Sequence, residues 1–235
     1  MDRNYMSNTQ TGAVAVEQQR FMVRVYNWMF AGLGFTGVMA YYVANDERML
    51  GLVFGNPIVP IVLAIAQIGL VFYLASRVMR MSASQATAVF MLYAGLTGIT
   101  FSSIFLVYTA SSITSTFLTT AGTFGAMSFY GYTTKNDLTS WGSFMFMGLM
   151  GIVIASMVNI FLQSPAVYWL TTYAGVLIFV GLTAYDTQKI KMLNITGNEG
   201  TEEDTKEAIM GALTLYLDFI NLFLMLLRIM GNRRE

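Results

Sequence analysis

Runs of about 20 predominantly apolar residues, separated by short polar breaks, fill this chain from residue 21 onward, and each run has the length that carries a helix across a hydrocarbon layer. Inside lipid every backbone N–H and C=O must find its partner within the segment, so runs of this kind fold as helices. The candidate spans cover 21–43, 57–76, 84–107, 112–131, 141–162, 166–188 and 208–229. The expected fold class is therefore all-α integral membrane, a bundle of seven transmembrane helices. Composition agrees, with 55% hydrophobic and 11% charged residues where a soluble domain carries about 25% charged. No small-residue cleavage site follows the run that begins near Phe21, so it reads as a retained span and not as a signal peptide.

The breaks carry turn and helix-start chemistry: Asn45-Asp46-Glu47-Arg48, Gly55-Asn56-Pro57, Lys135-Asn136-Asp137 and Ser164-Pro165. Between Thr109 and Ser115 small hydroxyl residues replace the usual charges, and a tight hairpin is expected there. Residues 1–20 are polar and mixed and read as a flexible N-terminal tail, leaving 21–231 as one seven-span domain. Orientation follows from Lys and Arg near the span ends, which are enriched in cytoplasmic connections. A cytoplasmic N-terminus puts nine of them inside and four outside, of which three, Arg228, Arg233 and Arg234, lie at the C-terminus. The last span is then either re-entrant or a full crossing that carries those arginines with it.

Thirteen basic and thirteen acidic residues balance without forming blocks, so nothing points to nucleic acid or to an acidic partner. The chain has no Cys and no His, which removes thiolate chemistry, soft-metal sites and the imidazole switch. Proton or metal chemistry must rest on oxygen ligands, which suit hard cations such as Ca²⁺. Gly32, Gly34 and Gly37, Gly95 and Gly98, Gly122 and Gly125, and Gly148 and Gly151 recur at close spacing and read as helix-packing positions.

An ionisable group inside a span costs about 2.5–3.5 kcal/mol on insertion scales, so the few that remain are functional candidates. Asp218 lies in the middle of Tyr216-Leu217-Asp218-Phe219-Ile220-Asn221, and Asp186 lies toward the inner end of the sixth span in Ala184-Tyr185-Asp186-Thr187-Gln188-Lys189. One loop joins these two spans, so they run antiparallel as sequence neighbours and bring the two acids to the inner half of the bundle. Two carboxylates in contact in a low dielectric cannot both ionise cheaply, so the pair shares a proton. The plainer alternatives are an interfacial Asp186 solvated beside Lys189 and a buried Asp218 acting as interhelical glue. Arg80, with Arg77 one turn away, offers a countercharge at the inner end of the second span; its alternative role is a head-group anchor. Gln67, Asn159 and Asn221 are supporting polar groups suited to hydrogen bonds between helices.

Tyr216-Leu217-Asp218-Phe219-Ile220-Asn221-Leu222-Phe223 strongly resembles the last-span signature of the Bax inhibitor-1 (transmembrane Bax inhibitor motif) family. Ala184-Tyr185-Asp186-Thr187-Gln188-Lys189-Ile190 resembles its sixth-span motif and Thr97-Gly98-Ile99-Thr100 its third-span motif. The resemblance covers about 21–231 and is nearest to the bacterial inner-membrane branch. It implies a seven-helix bundle with the last helix central, forming a pH-sensitive Ca²⁺ leak channel gated by an aspartate pair. Asp186 and Asp218 match that pair and are the implied Ca²⁺ ligands, and Arg80 matches the arginine that latches onto it in the closed state. Its expected company is membrane lipid, protons and Ca²⁺, with no tightly bound cofactor. One departure bears on permeation: some relatives carry a glutamate within the second span, where this chain has only Gln67.

The family resemblance also carries a second implication, a stress- or death-protective interaction protein that restrains a membrane protease or another membrane-protein partner through the N-terminal tail. Catalysis is not expected. Intramembrane aspartyl proteases need Gly-x-Gly-Asp at the second acid where this chain has Leu215-Tyr216-Leu217-Asp218, and no Lys lies in the last span to hold retinal.

Overall fold

The structure, a computed structural model, describes residues 2–194 and 197–234, with side chains from Val14 onward. Among them every regular element is helical: α1 (Asp2–Ala44), α2 (Glu47–Phe54), α3 (Ile58–Arg77), α4 (Ala83–Val107), α5 (Ala110–Thr133), α6 (Thr139–Leu162), α7 (Pro165–Leu193) and α8 (Glu202–Met230). A single 3-10 turn, Val78–Arg80, extends α3. Five helices, α3 with its 3-10 turn, α4, α6, α7 and α8, are long and apolar enough to cross a membrane. The other two long helices are more dilute in apolar residues: α1 carries Gly, Tyr and Trp, and ten of the 24 residues of α5 are Ser or Thr.

Two features depart from the sequence reading. The polar stretch 1–20 lies outside the helices expected from sequence, whereas α1 extends back to Asp2, and Glu17 and Arg20 engage the α7–α8 loop. Part of the first break, expected to be loop, forms α2, because the Asp46 carboxylate accepts hydrogen bonds from the N–H groups of Arg48 and Met49 and caps it.

The chain divides into two compact units, residues 1–103 with 190–213 and residues 104–189 with 214–235, the cuts falling inside α4, α7 and α8. In the first unit α1 buries Met22, Val25, Met29, Thr36, Ala40 and Val43, residues three to seven apart that line one helix face. Against α1 lies α4: a β-carbon at Gly98 would strike the Thr36 carbonyl, and the Thr36 hydroxyl donates to the Ala94 carbonyl at 2.9 Å. The first half of α8 adds Ala208, Ile209, Ala212 and Leu213, all buried, with Gly211 letting Val25 and Ile190 approach.

The second unit is built around Phe179, Leu182 and Leu222, with Met145, Leu149 and Met225 packed on them. Phe219 of α8 meets Phe117 and Phe124 of α5 edge-on, each with ring centroids 5.4 Å apart. Glycines set the closest approaches: Gly131 against the Ala184 backbone, Gly142 against the Tyr185 ring and Gly148 against Ile178. The packing role expected for glycines holds at Gly95, Gly98 and Gly148, whereas Gly34, Gly37, Gly122, Gly125 and Gly151 face open space.

The hairpin expected after the third span is tighter than its hydroxyl-rich stretch suggests. Only Tyr108 and Thr109 separate α4 from α5, and Thr109 Oγ1 caps α5 by accepting from the Ser112 N–H. The C-terminal segment is bound there. Thr109 N–H donates to the Asn232 carbonyl at 3.1 Å, Arg234 N–H to the Val107 carbonyl at 2.9 Å and Asn232 N–H to Ser112 Oγ at 2.9 Å, and Tyr108 and Arg233 form an antiparallel bridge.

Candidate functional site

Two helices of the second unit carry the acids expected to act. Asp218 stands in α8 between Leu215–Tyr216 and Phe219–Ile220, all buried, and is itself only 5% exposed. Asp186 stands in α7, half-buried, one turn from the exposed Lys189. The two side chains are in hydrogen-bonding contact with each other. A hydrogen bond between two carboxyls requires a proton on one of them, so in this geometry the pair carries at most one negative charge. The second oxygen of Asp218, Oδ2, is buried with no hydrogen-bond partner. A buried carboxyl oxygen left in this state is costly, and it is the most anomalous polar atom in the apolar interior of this unit.

The surroundings hold Asp186 in place. Lys189 lies near enough to act on its charge, and the Lys189 ammonium sits 5.8 Å from the centroid of the Tyr185 ring. Thr187 Oγ1 donates to Ser128 Oγ at 3.4 Å, tying α7 to α5. Gln188 makes the firmest link: its Oε1 accepts the Leu138 N–H at 2.9 Å and its Nε2 donates to the Asn136 carbonyl at 2.8 Å. The α5–α6 connection is thereby fastened to α7 within two residues of Asp186. In that connection, exposed Asp137 accepts the Thr139 N–H at 2.8 Å and a bond from the Thr139 hydroxyl, which hold its carboxyl below the usual range.

Sequence reading singled out the acids but missed Gln188 and Ser128. A polar side chain two residues after a membrane aspartate, still on the buried part of α7, was the available signal for Gln188. Ser128 gives none, because hydroxyl residues fill all of α5.

The supporting residues divide. Gln67 of α3 donates from Nε2 to Thr100 Oγ1 at 3.1 Å and lies 3.5 Å from Thr97 Oγ1, a bond between helices as expected. Asn159 and Asn221 instead serve their own helices, since Asn159 Oδ1 accepts the Ser164 N–H at 2.9 Å and Asn221 Nδ2 donates to the Leu217 carbonyl at 2.8 Å. The reason is local: the left-handed Gln163 (φ 50°) turns the chain at the end of α6 and frees an N–H for Asn159. Arg80 belongs to the first unit, exposed at the end of its 3-10 turn.

For a metal, the pair supplies two carboxyls, and no cluster of three or more acids forms among the described residues. Ca²⁺ takes about six to eight oxygens, so the aspartates could take part in only a transient, partly hydrated coordination.

Residues 18–235 match the family described as "Inhibitor of apoptosis-promoting Bax1". Among curated proteins, the inner membrane protein YbhL of Escherichia coli K12 is 55% identical over 223 residues, covering 92% of this chain and 93% of that protein. A protein of Rickettsia prowazekii is 47% identical over 218 residues, covering 92% and 91%. One of Borreliella burgdorferi is 44% identical over 227 residues, covering 97% and 98%. With a family match over nearly the whole chain and nearly full coverage of its relatives in both directions, this integral membrane chain belongs to the Bax inhibitor-1 family.

Proposed function

We propose that the protein is a proton-sensitive leak channel for a hard cation, with Ca²⁺ the ion best matched to an oxygen-only interior, and that the Asp186–Asp218 pair gates it. The reading is carried by the contact between two carboxyls in an otherwise apolar core, one oxygen of which is buried without a partner. Membrane interiors retain such groups where ions or protons pass. The absence of Cys and His leaves carboxyl groups as the proton-responsive element near neutral pH.

The proposal includes seven spans with α8 at the centre, in a bacterial inner membrane with the N-terminus cytoplasmic. Seven long helices correspond to the seven apolar runs, and 61% of the most apolar stretch of α8 is buried against 39% or less in the other four apolar helices. Of the two alternatives left for the last span, a full crossing is favoured by the unbroken 29-residue α8, about 43 Å long at 1.5 Å per residue. Arg80 acts as the latch in this reading: it pairs with a singly charged aspartate pair, and gaining or losing a proton alters that attraction and shifts the open–closed balance.

Purified protein in liposomes loaded with a Ca²⁺ dye tests this directly. Flux is expected to change with pH, Asp186→Asn and Asp218→Asn each to flatten that dependence, and Arg80→Ala to raise the basal leak. A protein that passes no cation at any value from about pH 5 to 8, or whose Asn variants keep the wild-type pH dependence, is not this channel; the interaction-protein reading then takes its place.

A further inference from the structure

Arg228, Arg233 and Arg234 gather at the end of the second unit where α8 finishes, and all are exposed. Among the described residues no acid belongs to the chain segments that meet there, 104–116, 156–174 and 222–234. By contrast, Arg20 and Arg24 of α1 have Glu199 beside them.

The three are held in place. The Arg228 guanidinium lies 5.3 Å from the centroid of the Tyr168 ring, a cation–π contact that fixes its plane while leaving most of its N–H donors unused. Arg233 and Arg234 lie in the segment bound by backbone hydrogen bonds to the α4–α5 connection. A loose basic tail would attract anions only diffusely, whereas this one presents its charges from a fixed backbone.

The depth of the cluster is marked by aromatics. Trp169 stacks on Tyr173 with ring centroids 5.7 Å apart and meets Tyr168 edge-on at 5.6 Å, and both Trp169 and Tyr173 are exposed. Exposed Trp and Tyr at a span end lie at head-group level. Directly beside them Leu170, Phe161 and Leu162 are 70%, 87% and 64% exposed, an apolar surface that suits acyl chains.

We infer that Arg228, Arg233 and Arg234 form a binding site for the phosphodiester head group of an anionic phospholipid, with the acyl chains lying over the apolar ends of α6 and α7. Guanidinium groups pair with phosphate oxygens through two parallel N–H bonds. A lipid of net negative charge satisfies a cluster with no carboxylate among its described residues; a zwitterionic one brings its own ammonium and gains less. The site is independent of the gating proposal, since it shares no residue with the aspartate pair.

Native mass spectrometry of the protein from nanodiscs of equal phosphatidylglycerol and phosphatidylcholine tests the assignment. Phosphatidylglycerol is expected to be retained preferentially, with the preference falling by about fivefold for each arginine replaced by Gln. The Arg228→Gln/Arg233→Gln/Arg234→Gln variant should lose it, and the matching Lys triple should keep a reduced part of it. Lys135→Gln, at the α5–α6 connection, should leave it unchanged. Should the triple variant fail to fold, as judged by helical circular dichroism in phosphatidylcholine, Arg234→Gln alone still has to show the single-residue loss. Equal retention of both lipids, a preference that survives the folded triple variant, or equally good binding of soluble glycerol phosphate would each overturn the site.

Discussion

At the scale of single residues, Asp218 and Gln188 do different work in one neighbourhood. Asp218 sits in the apolar core in hydrogen-bonding contact with Asp186, and its unpartnered Oδ2 keeps the arrangement expensive. Asp218→Leu, which removes the buried polar group and keeps the branched shape, is expected to raise thermal stability in detergent while abolishing pH-dependent flux; a drop in melting temperature would show that the carboxyl stabilises the fold. Gln188 holds two backbone groups of the α5–α6 connection, one of them the buried Leu138 N–H. Gln188→Ala should cost about 2–3 kcal/mol, measured as a lowered unfolding midpoint. Exposed Asp137 acts in the opposite pH sense to a group that gains a proton on folding: its carboxyl is held below the usual range, so its contribution is present above that range and is lost as pH falls through the folded value. Asp137→Ala should therefore flatten the acid limb of the stability profile.

At the scale of elements, the α7–α8 loop is clamped to α1. Arg24 Nη2 lies 2.9 Å from Oδ1 of Asp204, a carboxylate only 1% exposed, while Arg20 and Arg24 both reach Glu199 and the Gly197 N–H donates to Glu17. Removing one partner of a buried pair strands the other, so Arg24→Ala should destabilise by about 3 kcal/mol, whereas Arg20→Ala, at an exposed pair, should change stability by less than about 1 kcal/mol; thermal melts of the two variants side by side read the contrast. The clamp was not legible in the chain. Arg20 and Arg24 look like ordinary inner-face cations, and their partners lie about 180 residues away among acids that read as loop charge. Five apolar runs were legible as membrane-length helices, because a run of about 20 apolar residues has few other fates. The Asp186–Asp218 contact was legible for the related reason that a charge inside such a run needs a partner. The C-terminal bridge was hidden, since backbone groups pair without any side-chain pattern to announce them, and α2 was hidden by its short length.

At the scale of the whole molecule, topology is the open test of the proposal. With seven crossings and a cytoplasmic N-terminus, a reporter fused after residue 200 should be active only as a cytoplasmic marker, and one fused after residue 234 only on the opposite face. Because the C-terminal segment is bonded to the α4–α5 connection, a cysteine placed at Ser111 should be labelled by the same impermeant reagent that reaches one placed at Arg234. Labelling of the two from opposite faces would contradict the bonded tail.

Each compact unit also borrows its closing piece from the end of the chain, residues 190–213 for one and 214–235 for the other. A ribosome therefore delivers most of both units long before either can be finished. In lipid the waiting apolar faces are solvated by acyl chains and cost little, but distant polar partners arrive late: Arg24 is made 180 residues before Asp204, and Ser112 is made 120 residues before Asn232. A nascent chain stalled before the last helix is therefore incomplete in both units at once, instead of holding one sound unit and one broken one.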